Sequence, residues 1–222
     1  MSPFDSLYER AAARKGGGKA LEKLLGKPRS PRTLAKIPDD RWLSEIAKSV
    51  FRAGFNWSVV EQKWPDIEAA FDGFEPAHIA AYADEELETL LKDPRIIRHW
   101  KKLKAIRANA GFLVELADEH GSAARFFAHH PTADYVGLLD VLKRRGSYLG
   151  GTSAQYFLRM MGVDSFILSN DVVKALRREK AFDGTPTSKS SLGSIQKAFN
   201  AWVEDGGESL TRVSRVLAFT VE

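Results

Sequence analysis

The stretch from Asp93 to Gly121 limits most strongly what this chain can fold into. Ile97, Leu103, Ile106, Ala110, Leu113 and Leu116 recur at a spacing that puts them on one face of an α-helix, whereas a strand would scatter them over both faces. Asp93-Pro94 reads as the start of that helix, because Pro at the first helical position forfeits only an N–H that has no partner there. Gly121 reads as its stop. A helix this long needs other apolar helix faces to cover it, and the rest of the chain supplies them.

Trp42, Leu43, Ile46, Val50 and Phe51 keep helical spacing after Pro38-Asp39-Asp40, a candidate N-cap. Gly54 breaks that helix and Trp57-Ser58-Val59-Val60 opens the next. Asp72-Gly73-Phe74 is a turn signal, Glu75-Pro76 opens a short helix, and Asp84-Glu85-Glu86 puts acids in a first turn, where the helix dipole favours them. Segments 123–128, 135–145, 152–161, 172–179, 190–203 and 209–219 also read as helices. No alternating run is long enough for a central strand, and no repeat recurs. The predicted fold class is all-α, a multi-helix, bundle-like arrangement of about ten to twelve helices.

Charge is uneven along the chain. The net charge is +4, but residues 1–36 hold nine Lys/Arg against three Asp/Glu, so the remainder is slightly acidic. Segments 5–14 and 19–25 read as short helices around the flexible joint Lys15-Gly16-Gly17-Gly18-Lys19. Residues 1–38 are therefore expected to form a basic N-terminal arm, suited to a polyanion or simply solvated. Residues 39–222 are expected to form a helical domain of two lobes. Its terminal helices would pack together through Leu192, Ile195, Phe199 and Trp202. On the long helix, Arg98, Lys101, Lys102 and Arg107 are expected on the solvent side.

Several function classes drop out. The chain has no Cys, so disulfides and thiolate metal sites are excluded. The five His include one adjacent pair, His129-His130, and no metal-ligand spacing, so neither metal nor cofactor is expected. No apolar run reaches the roughly eighteen residues of a spanning helix, and the start lacks a signal-peptide pattern. A cytoplasmic protein without membrane contact, working as a monomer, is the expectation.

A hairpin of two helices is legible in 136–161. Its turn is Gly150-Gly151, and the second helix begins at Thr152. Such a turn can present backbone N–H groups to a DNA phosphate, with Lys143, Arg144, Arg145 and Arg159 nearby as cations. Gly-Gly between helices is also an ordinary loop. Asn170-Asp171 before Val172-Val173 is likewise an ordinary N-cap, and a Trp such as Trp57 is often a core residue.

Taken in order, Ala53-Gly54-Phe55-Asn56-Trp57, Asp93-Pro94-Arg95-Ile96-Ile97-Arg98, Leu149-Gly150-Gly151-Thr152-Ser153-Ala154 and Ser169-Asn170-Asp171-Val172-Val173 resemble the 3-methyladenine DNA glycosylase I family. This family is part of the helix-hairpin-helix glycosylase superfamily, and the resemblance runs from about Trp42 to Asp171. It implies base excision repair of double-stranded DNA carrying alkylated bases: a flipped purine is held and its N-glycosidic bond is hydrolysed. The resemblance makes Asp171 the catalytic carboxylate and Trp57 the aromatic on which the base stacks. Phe55 and Gly54 fall where the chain approaches DNA, and Gly150, Gly151, Thr152, Lys143 and Arg145 fall on the duplex-binding hairpin. The start of the second hairpin helix has no Lys to form a Schiff base, so a monofunctional enzyme without lyase activity is implied.

Two departures stand out. Where the family has a Glu against the base, this chain has Ser49, with Glu45 one helical turn earlier as a substitute only in changed geometry. The family's zinc site of two Cys and two His has no Cys here. The rival reading is a catalytically inert or damage-sensing helix-hairpin-helix DNA-binding protein. A helical interaction protein unrelated to nucleic acid is a third.

Overall fold

Every regular element in residues 2–221, the part that the computed structural model describes, is helical, and no strand occurs among them. In chain order the α-helices are α1 (Pro3–Lys15), α2 (Gly18–Leu25), α3 (Pro31–Leu34), α4 (Asp39–Arg52), α5 (Trp57–Ala70), α6 (Pro76–Ala80) and α7 (Asp84–Lys92). There follow α8 (Trp100–His120), α9 (Ala123–His129), α10 (Tyr135–Arg145), α11 (Gly151–Met161), α12 (Asn170–Arg178), α13 (Lys189–Trp202) and α14 (Leu210–Phe219). These exceed the expected number: α3 is a single turn, too short for an apolar period to announce, whereas α6 opens at Pro76 with Glu75 as its cap, as the sequence suggested. No described helix is long and apolar enough to cross a membrane.

The chain forms two compact units. One comprises residues 30–129 and 140–161. Its centre is α8, with α4, α6, α7 and α9 packed on it and α11 against α4. Trp42 is fully buried, stacked on Phe127 at 4.4 Å and edge-on to Phe157 at 6.0 Å. Burying aromatics of this size dominates such a core.

The other unit comprises residues 1–29, 130–139 and 162–222. Phe166 stacks on Phe199 at 4.4 Å, and Tyr135 meets Phe166 edge-on and donates its hydroxyl to the Phe166 carbonyl. α1, α2, α12 and α13 pack on α14. The Asp164 carboxylate accepts from the Leu210 and Thr211 N–H groups, capping α14 together with Ser209. Glu22 of α2 takes both Arg212 Nη groups at 2.7 Å, and Arg10 of α1 pairs with Glu179 at 2.8 Å.

Four local expectations are corrected. The long helix begins at Trp100 rather than Asp93: the Asp93 carboxylate takes the N–H and guanidinium of Arg95, a local turn that competes with helix, and His99 becomes the cap. Ile96, not Ile97, is the buried residue of that turn. Pro38 stands at the cap of α4 without a side-chain bond, while Asp39 reaches across to the Ala123 and Ala124 N–H groups and caps α9. Lys102, expected in solvent, is only 3% exposed.

Candidate functional site

The site begins where α4 ends. Gly54 adopts a left-handed φ of +82°, which a side chain would strain, and this turns the chain sharply into α5. Asn56 caps α5 by accepting from the Ser58 N–H at 2.9 Å, which leaves Trp57 as the first helical residue, 42% exposed. Lys102 fixes the turn from below. Its Nζ donates to the carbonyl oxygens of Phe51, in the last turn of α4, and of Ala53, which caps that helix, and lies 4.3 Å from the centroid of the Phe55 ring. Burial lowers the Lys102 ammonium to about 8.

Above this turn, Ser49, Arg52, Ala53 and Trp57 face Thr152, Ser153 and Tyr156 of α11 across a cleft of about 180 Å³. The Tyr156 ring meets Trp57 edge-on at 5.2 Å, and the Arg52 guanidinium lies over Trp57 at 5.1 Å. Arg52 is tethered by Glu45 at 2.8 Å and by Glu61, which also takes Lys48. Burial raises the Glu45 carboxyl above its usual range, only partly opposed by Arg52 and Lys48. Ser49 is 5% exposed, and its Oγ has no hydrogen-bond partner.

The structure thus brings Ser49, Trp57 and Thr152 together. Glu45 stands behind Arg52 rather than on the lining, and Phe55 is exposed on the turn beside Lys102. Arg52, Ser153 and Tyr156 were not anticipated. Their signal lay in spacing: Ser49 and Arg52, and Thr152 and Tyr156, are three and four residues apart on their helices.

In the hairpin, Tyr148 and Gly151 take left-handed conformations that close the turn after α10. Buried Asn109 clamps it, donating to the Ser147 carbonyl at 2.9 Å and accepting from its N–H at 2.7 Å. Gly146 is required there, since a Cβ would fall 2.7 Å from the Leu142 carbonyl oxygen. Gly150 and Lys143 are exposed. Arg145 is turned onto α8, where it pairs with Glu115 and Glu119 and covers Phe112.

Asp171 belongs to the other unit. It is the second residue of α12 and half-buried. The cap is Ser169, whose Oγ accepts from the Val172 N–H, so Asp171 is released from the capping role that Asn170-Asp171 suggested. Among the described residues, no three His, Asp or Glu gather as a metal-holding group, and with no Cys in the chain the zinc set of the resemblance does not fit.

Residues 35–136 match the family model described as methyladenine glycosylase. DNA-3-methyladenine glycosylase 1 of Escherichia coli strain K12 is 30% identical over 132 residues, 50% of this chain and 70% of that protein. DNA-3-methyladenine glycosylase of Haemophilus influenzae is 28% identical over 131 residues, 50% of this chain and 71% of its own. A crystal structure of a 3-methyladenine DNA glycosylase I superposes with a TM-score of 0.50 at 26% identity, covering 62% of this chain and 82% of that one. The chain belongs to the methyladenine glycosylase family.

Proposed function

We propose that this chain is a monofunctional DNA glycosylase that hydrolyses the N-glycosidic bond of alkylated purines in duplex DNA. The observation that carries the reading is the aromatic cleft between the α4–α5 turn and the start of α11, in a chain of this family. Its volume of about 180 Å³ lies below that of pockets for drug-sized ligands and suits a single flipped base.

In this reading the turn at Gly150, Gly151 and Thr152 offers N–H groups to a phosphate, and Lys143 adds charge without reading sequence. Phe55 fills the space left by the extruded base. The base lies against Trp57 and Tyr156, where stacking contributes about 1–3 kcal/mol. Asp171 stabilises the positive charge that grows on the deoxyribose as the bond breaks, and it orients the attacking water. The sequence Thr152-Ser153-Ala154-Gln155 supplies no amine for a lyase step.

The test is chromatographic detection of free bases released from alkylated duplex DNA by wild type and by Asp171→Asn. Release that falls at least about tenfold in the variant, roughly 1.4 kcal/mol of barrier, supports the reading. Salt-dependent duplex binding without any release would instead favour an inert binder, the alternative that Ser49 motivates.

A further inference from the structure

The charge on the cleft wall speaks to which base fits. Of the seven lining residues, Arg52 alone is ionised, and it is positive; the rest of the polar lining is hydroxyl, from Ser49, Thr152, Ser153 and Tyr156. No carboxylate reaches the lining: Glu45 and Glu61 hold the two Nη atoms of Arg52 from behind. The Arg52 side chain is 9% exposed and lies over the Trp57 ring, so a base stacked in this cleft has a guanidinium as its neighbour.

Two buried polar atoms here lack partners, Ser49 Oγ and Arg52 Nε. Such atoms are costly to leave unpaired, which marks a place where a ligand is expected to complete the bonding. The Ser49 hydroxyl can donate, so it is answered by an acceptor on the edge of the base.

Resting on the glycosylase reading above, we infer that the cleft selects alkylated purines that are neutral and carry an acceptor edge, over purines made cationic by ring methylation. A cationic base would be brought against the Arg52 guanidinium in a half-enclosed site, where like charges oppose binding. A neutral base gains instead. When the C1′–N bond breaks, its electron pair passes to the departing base, water oxygen joins C1′, and one water proton ends on the base. The negative charge that develops on the base before protonation is stabilised by Arg52, in the transition state more than in the bound substrate.

The experiment uses the full chain and duplexes carrying either 1,N6-ethenoadenine, which is neutral, or methylated purines produced by dimethyl sulfate. Single-turnover release is divided by spontaneous loss for each base. An enhancement at least about tenfold larger for ethenoadenine is expected. Ser49→Glu, which places a carboxylate on the wall, is expected to shift the ratio toward the methylated cations, with circular dichroism confirming that it folds. Equal or larger enhancement for the methylated purines by wild type overturns the inference and leaves the glycosylase reading standing. Release from neither duplex overturns both.

Discussion

The Nζ of Lys102 donates to the carbonyl oxygen of Ala53, tying the first turn of one unit's central helix to the last residue before the glycine that turns the chain toward Trp57. A second bond to Phe51 makes the ammonium the cap of α4. The turn that presents Trp57 is thereby fixed by a residue that does not line the cleft.

Replacing this group has a calculable consequence. Lys102→Met keeps the apolar stem but leaves two carbonyl groups without their donor, and hydrogen bonds to charged groups are each worth about 1.5–3 kcal/mol. Because burying the ammonium offsets part of those two bonds, urea unfolding should show a loss of about 2–3 kcal/mol, together with slower base release through a loosened Trp57.

The same residue gives a pH signature. Burial puts the folded Lys102 at about 8 against 10.5 for the free side chain, so between those values the unfolded chain binds the extra proton. The stability that Lys102 contributes therefore rises with pH through this window and is lost as pH falls through about 8. Unfolding free energies of wild type minus Lys102→Met, taken at pH 7.5 and pH 10, should increase; an unchanged difference would contradict the assignment.

Asn109 shows where the sequence was legible and where it was not. The all-α fold, the Gly54 break, the Gly121 stop and the hairpin near Gly150 all follow from local periodicity and glycine punctuation. Ser49 and Trp57 were reached through the family resemblance, which points to both on either side of that break. Asn109 and Lys102 were not, because a polar residue on a helix is ordinarily solvated. Only the packing of Ser147 and the α4 carbonyl groups against α8 gives each a buried partner. The displaced start of α8 has the same origin, as Asp93 prefers its bond to Arg95 over a helical turn.

Asn109→Ala should accordingly destabilise the protein by about 1–3 kcal/mol, since it strips both bonds from the Ser147 backbone. It should also weaken duplex binding by freeing the hairpin turn. Denaturation combined with fluorescence anisotropy on a labelled duplex would check the two effects together.

In the other unit, hydrogen bonding from Arg212 holds Glu22 down at about 2, well below its usual 4.5. A depressed carboxylate contributes stability that is present above pH 4.5 and lost as pH falls toward 2. Glu22→Gln should flatten the acid limb of the stability profile in that window, modestly because the pair is partly exposed. Melting temperatures between pH 2 and 5 would show it.

The most direct test of the cleft as the place where the base is held is single-turnover base release from alkylated duplex DNA by wild type and Trp57→Ala. Trp57 is 42% exposed, so its removal should change stability by no more than about 1 kcal/mol while base release falls by about tenfold or more. Undiminished release by a folded Trp57→Ala, or no release by wild type, would contradict the account.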